Sequence, residues 1–201
     1  MKAILTIFFS IVLATTGLAQ KFSSEVFHDG FLVTSEKDTV RGRLKYDMET
    51  NIVSMLIGTK VRTFSSHKIY YFEINDEVLN TFRQFYSVPS KVNYDYKIPI
   101  LFELLYEGPL SLLTRESIVQ QTQASNSPYW GGTNYQRTIV QYSFYFLDTK
   151  GEITYYSGKK KDLLLIMKKK QTDVKKFMKD NKLDSDDVRD LIRITAFYNS
   201  I

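Results

Sequence analysis

The stretch Gly30 to Tyr46, GFLVTSEKDTVRGRLKY, constrains the fold of this chain more than any other. Its second half alternates strictly, with Val40, Gly42, Leu44 and Tyr46 on one side and Arg41, Arg43 and Lys45 on the other. That is the period-two pattern of a strand with one wet face. Phe31 to Thr34 is an apolar β-type run, and the SEKD between the two supplies turn residues. The segment reads as a β-hairpin, a nucleus onto which further antiparallel strands can add.

More strands follow. Ile52 to Ile57 and Thr59 to Phe64 flank Gly58, the economical pattern of strand, tight turn and strand. Ser65 to Lys68 is a polar corner, and Ile69 to Ile74 and Val78 to Tyr86 pair across Asn75-Asp76-Glu77. Glu25 to His28 reads as a first edge strand, and Ser87 to Lys97, which carries Pro89, as irregular chain. Pro99 to Tyr106 and Leu110 to Arg115 form another hairpin whose successive apolar residues suggest burial on both faces. Thr138 to Leu147 and Glu152 to Tyr156 are joined by an Asp-to-Gly turn. Between these hairpins, residues 117–136 are rich in Gln, Ser, Thr, Asn and Gly and read mostly as a long exposed loop. The 14 Tyr and 14 Phe concentrate in the strands, where they suit a half-buried pleated surface.

From Gly158 the period changes. Asp162 to Lys170 reads as a short buried helix, a second follows with Thr172 as its cap, and a third with Asp184 as its cap. Helices this short need a surface to pack on. The fold class is therefore α+β: a mostly antiparallel β barrel or sandwich of about ten strands followed by a C-terminal three-helix segment. A transmembrane barrel is disfavoured because runs such as LFELLY do not alternate.

The chain begins with Lys2, an apolar run from Ala3 to Ala14 and small residues at Gly17 and Ala19, a secretory signal peptide cleaved after Ala19. The run is about a dozen residues, too short to span a bilayer, which takes roughly twenty. This divides the chain into a leader, 1–19, a β-rich domain, 20–157, and a helical segment, 158–201, packed on it. Cleavage lowers the net charge from +5 to +4. There is no cysteine, so neither a lipoprotein anchor nor thiol chemistry is available. The expectation is an exported protein of the periplasm or cell surface, not a lipoprotein, with no transmembrane span after signal cleavage.

The hairpins GFLVTSEKDTVRGRLKY and LFELLYEGPLSLLTRE, together with the tail from Lys159 to Ser200, resemble a recurring type of functionally uncharacterised secreted protein of Bacteroidota bacteria. The leader's Ala-Gln ending is similar to signals of that phylum. The resemblance supports an envelope location and implies no active site.

No catalytic signature stands out. His28 and His67 are far apart and no zinc spacing such as HExxH occurs, so no metal or cofactor is expected. No GxSxG elbow supports a hydrolase triad. Glu103 and Glu107 lie four apart in a strand, roughly 13 Å, too far for paired-carboxylate chemistry, and read as solvated sheet charges. Two candidate binding features remain. One is the aromatic loop segment, with Tyr129, Trp130 and Tyr135, which suits a glycan or an envelope protein. The other is the basic tail: residues 158–193 carry ten Lys and two Arg against seven Asp. Its clusters Lys159-Lys160-Lys161 and Lys168-Lys169-Lys170 suit an anionic envelope surface, while an exported protein gives no reason to expect nucleic acid. Lysine runs are more often only the wet face of amphipathic helices, and the Trp can equally anchor its loop. The functional expectation is an exported, non-enzymatic cell-envelope binding or assembly module. The alternatives are a peripheral envelope-surface protein attached through the Lys-rich helices and an uncharacterised hydrolase.

Overall fold

The computed structural model describes residues 21–93, 96–124 and 134–201. The leader expected at 1–19 lies outside them. Ten antiparallel strands form one sheet: β1 (His28–Thr34), β2 (Thr39–Asp47), β3 (Ile52–Ile57), β4 (Lys60–Ser65), β5 (Ile69–Asp76), β6 (Thr81–Asn93), β7 (Tyr96–Tyr106), β8 (Leu110–Ala124), β9 (Asn134–Asp148) and β10 (Ile153–Tyr156). Helices α1 (Lys160–Ile166), α2 (Gln171–Asp180) and α3 (Val188–Ser200) follow. The strand order is β10-β9-β8-β7-β6-β5-β1-β2-β3-β4. The chain is thus α+β and β-rich, but the sheet is open. The expected barrel does not close, because among the described residues the edge strands β4 and β10 pair with nothing beyond β3 and β9. Among the described residues there is no second sheet to make a sandwich.

The opening hairpin pairs as its alternation requires, Gly30 opposite Gly42 and Leu32 opposite Val40. Leu44 and Tyr46 are fully buried while Arg41 and Arg43 are exposed. β1 is central, flanked by β2 and β5, and the strands approach so closely at Gly30 that a Cβ there would sit 2.0 Å from the Glu73 carbonyl oxygen. Glu25 belongs to a 3-10 turn, Ser23–Glu25, rather than to an edge strand.

The sheet curls, bringing β2 and β3 across to β7 and β8. Ser66 Oγ donates to the Pro99 carbonyl at 2.6 Å, and Asn51 Oδ1 accepts from the Leu101 amide at 2.9 Å. The Arg115 guanidinium, on β8, donates to the Leu101 and Met48 carbonyls. Inside the curl Leu32, Leu44, Tyr46, Val53, Met55, Phe72, Ile74, Phe85 and Leu101 form one core. A second core lies between β8–β10 and the helices, where Leu112, Phe146 and Tyr156 meet Leu163, Met167, Val174, Met178, Leu191 and Ile194. Strands β7 and β8 carry neighbouring buried residues on opposite faces, Leu101 beside Phe102 and Leu112 beside Leu113.

Several sequence expectations are corrected. Ser87 to Asn93 is not irregular: it continues β6 and pairs with β7, Pro89 standing opposite Pro99. Most of 117–136 is strand rather than loop, since β8 and β9 pair from Leu110/Asp148 out to Ala124/Asn134. β7 pairs with β8 only between Glu103 and Tyr106, so the outer part of β8–β9 is a two-stranded arm. Thr138 to Ser143 of that arm already reads as strand, but little of 117–123 is buried, so no apolar pattern marks the β8 side. Asp187, not Asp184, caps α3, accepting from the Arg189 and Asp190 amides at 2.9 and 3.1 Å. α2 begins at Gln171 without a side-chain cap, so Thr172 does not serve as one. Among the described residues no helix is long and apolar enough to cross a membrane.

Candidate functional site: a buried arginine beneath an apolar cleft

The curl has a chemical cost. An acid within the apolar run of β7 and an arginine on β6 face inward, and a buried charge must be paired. Arg83 is the centre. Its Nε and Nη2 donate to the two oxygens of Glu103 at 2.8 and 2.6 Å, the bidentate geometry a guanidinium favours. Nη1 donates to Asp76 Oδ2 at 3.0 Å and to the Tyr46 hydroxyl at 2.6 Å. Nη2 also reaches Glu116 Oε2 at 3.0 Å, and Tyr46 donates its own proton to Glu116 Oε1 at 2.7 Å. The guanidinium lies over the rings of Phe85 and Tyr46, 4.9 and 5.4 Å from their centroids.

The cluster joins β2, β5, β6, β7 and β8. Glu103 is therefore not the solvated sheet charge its spacing from Glu107 suggested. It is held on the side of β7 facing Arg83, while Glu107 stays exposed.

Burial works against the charge of Arg83, but the bonds and charge of Glu103, with Tyr46 and Glu116, outweigh it and push its pKa up. It is permanently cationic. Burial, reinforced by Glu116 and opposed by Arg83, pushes the Tyr46 phenol up, so it stays a neutral donor. For Asp76 burial acts upward, yet hydrogen bonds from the Leu79 amide, Ser23 and Arg83 prevail and hold the carboxyl below its usual value. With Asp76, Glu103 and Glu116 around one arginine, the cluster holds more acid than base.

His28 borders this cluster, its Nδ1 4.0 Å from Asp76 Oδ1. Both ring nitrogens are engaged by backbone: Nε2 donates to the Ser23 carbonyl at 2.8 Å and Nδ1 accepts from the Glu77 amide at 3.1 Å. That arrangement fixes a neutral ring with its proton on Nε2. His67 is exposed in a 3-10 turn, Ser66–Lys68, so the two histidines do not form a common site.

Above Arg83 and Glu103 opens a cleft of about 420 Å³. Its walls come from Leu79 in the β5–β6 turn, Phe82 on β6, Leu104 and Leu105 on β7, Tyr142 and Phe144 on β9, and Val188 at the start of α3. Leu79, Phe82, Tyr142 and Val188 are all exposed, Phe82 to 64%. Four large apolar side chains from four separate elements around one concavity form a binding surface rather than scattered exposure. No protein-family model, curated protein or solved structure matches the chain.

The residues singled out from the sequence lie elsewhere. Tyr129 and Trp130 are outside the described residues, and Tyr135 is on β9 opposite Gln123. Lys159 is the N-cap of α1 and Lys160 and Lys161 begin it, while Lys168, Lys169 and Lys170 form a 3-10 turn just beyond its other end. The two lysine clusters therefore lie at opposite ends of α1. Lys159 and Lys160 border a cleft shared with Lys182 but also with Asp184 and Asp186. Lys168–Lys170 border one that adds Lys150, with Asp148 as its acid. The site at Arg83 was missed, although a lone glutamate inside LFELLY is a signal that a buried cation must face it.

Proposed function

We propose that this protein is a non-enzymatic binding module of the cell envelope, exported by its leader, and that it takes its ligand in the cleft above Arg83. The observation that carries this reading is the convergence of exposed Leu79, Phe82, Tyr142 and Val188 on a concavity floored by Arg83 and Glu103. The apolar walls suit an apolar body. The excess of carboxylate beneath them favours a cationic head, whose charge the floor would attract in a partly desolvated site. The ligand class is therefore an amine-bearing amphiphile or a basic, aromatic peptide segment.

A binding role also suits the chemistry of the floor. Arg83 holds the three carboxylates, and His28 has both nitrogens committed to backbone. At this floor no group is left free as a general base, while His67 lies exposed elsewhere.

Calorimetric titration with n-octylammonium, n-octanol and n-octanoate tests the proposal. Octylammonium should bind most tightly and octanoate not at all. Phe82→Ser should weaken binding about tenfold, the worth of one large apolar contact. Equal binding of the three compounds, or an unaffected Phe82→Ser variant, would refute the reading.

A further inference from the structure

Helix α1 presents an outer face that the second core does not use. Leu163, Leu164 and Met167 are buried, but Leu165 is 59% exposed, against the expectation that the whole apolar run is covered. Lys161 precedes Leu165 by one turn of the helix, and Lys168 and Lys169 follow in the 3-10 turn just beyond its end, all of them exposed. An apolar side chain ringed by lysines is the arrangement by which a helix sits on a charged bilayer: the apolar group enters the headgroup boundary while lysine stems reach back to the phosphates.

The neighbouring cleft, about 610 Å³, extends the same surface. Ile166, Leu110, Pro109 and Tyr198 line it, with Lys150, Lys168, Lys169 and Lys170 around them. Lys170 is committed to the end of α3, donating to the Tyr198 carbonyl at 3.1 Å and to the Ile201 oxygen. Lys150, Lys168 and Lys169 are exposed. Lys150, Lys168, Lys169 and Lys170 line this cleft against one acid, Asp148, and Asp162 stands near on α1. Asp148 Oδ1 accepts from the Lys150 and Glu152 amides, and Asp162 accepts from the Ser157 hydroxyl. The face is cationic with an apolar centre, and its complement is a surface that is anionic above and apolar beneath.

We propose that α1 and the 3-10 turn after it dock this protein on an anionic lipid surface, with Leu165 inserted and Lys150, Lys161, Lys168 and Lys169 on the headgroups. This rests on observations separate from the cleft above Arg83 and stands or falls independently of it. The test is co-sedimentation of the purified protein with phosphatidylcholine vesicles containing either no or 30 mol% phosphatidylglycerol. Binding is expected only to the anionic vesicles and should fall steeply with added salt. The triple variant Lys161→Gln, Lys168→Gln, Lys169→Gln should bind about a hundredfold more weakly, at roughly fivefold per lysine near such a surface. Leu165→Ser should lose about tenfold. These positions are exposed, and circular dichroism of each variant would establish that it folds. Equal binding to both vesicle types, unchanged binding by the triple variant, or unchanged binding by Leu165→Ser overturns the proposal. Displacement from vesicles by millimolar inorganic phosphate at constant ionic strength also overturns it, in favour of a site for a soluble anion.

Discussion

Replacing Arg83 by methionine isolates the element that holds the curl together. Methionine retains much of the alkyl stem but removes five hydrogen bonds, two to Glu103 and one each to Asp76, Glu116 and Tyr46. The arginine side chain is 3% exposed and those of its acid partners 0–11%, so water cannot fully replace it. Removing one member of a buried ion pair costs about 3–5 kcal/mol, a large part of the roughly 5–15 kcal/mol that holds a domain folded. The upper end applies here, because three carboxylates lose their shared cation at once.

The pH dependence gives the reasoning a second, sharper edge. In the native protein Asp76 has a depressed pKa, so its contribution is present above the unfolded value, about 3.9, and is lost as pH falls through the folded one. In Arg83→Met the orphaned carboxylates have folded pKa values above their unfolded ones. Each then binds a proton more readily folded than unfolded, and stability rises as pH falls, by about 1.4 kcal/mol per unit for each fully coupled group. Urea unfolding followed by circular dichroism at pH 7, 6 and 5 should show a variant about 4–5 kcal/mol weaker at pH 7 that recovers toward pH 5. A deficit under about 1 kcal/mol at pH 7, or a deficit that does not shrink in acid, would contradict the assignment of these groups as a buried ionic cluster.

Further outcomes follow from single contacts. Gly30→Ala places a Cβ 2.0 Å from the Glu73 carbonyl oxygen, backbone that cannot swing aside. Urea unfolding should show a loss of several kcal/mol, at least the ~1–3 typical of overpacking, and a loss under 1 kcal/mol would mean the strands part easily. Asp187→Ala removes the cap that accepts from two amides of α3; a loss of about 1 kcal/mol is expected, with Asp187→Ser restoring most of it and Asp184→Ala, which is not the cap, serving as the contrast.

The strands that bury one face were readable from sequence because burial writes a period-two pattern. β2 shows it fully, Leu44 and Tyr46 inward and Arg43 outward. Where neither face is covered the pattern vanishes, so the outer part of β8, residues 117–123, looked like a polar loop. The candidate site was hidden for another reason. Its members lie 7 to 70 residues apart in the chain: the pairing of β5 through β8 sets Asp76, Arg83, Glu103 and Glu116 side by side, and the curl of the sheet brings Tyr46 to them. Arg83 alternates with Phe82 and Gln84 much as any surface arginine would, and nothing local says that its side of β6 faces inward. The lysine clusters were legible as charge but not as places, since their position at opposite ends of α1, and the aspartates beside each of their clefts, depend on packing.

In the proposed function the ligand sits in the cleft over Arg83. Methyl NMR of Leu79 and Val188, on opposite elements of its rim, reports that directly during titration with n-octylammonium. Both sets of methyl resonances should shift together along one saturating curve, with Leu165, on α1, unmoved. Shifts confined to Leu165, or none at Leu79 and Val188 at saturating amine, would contradict the claim.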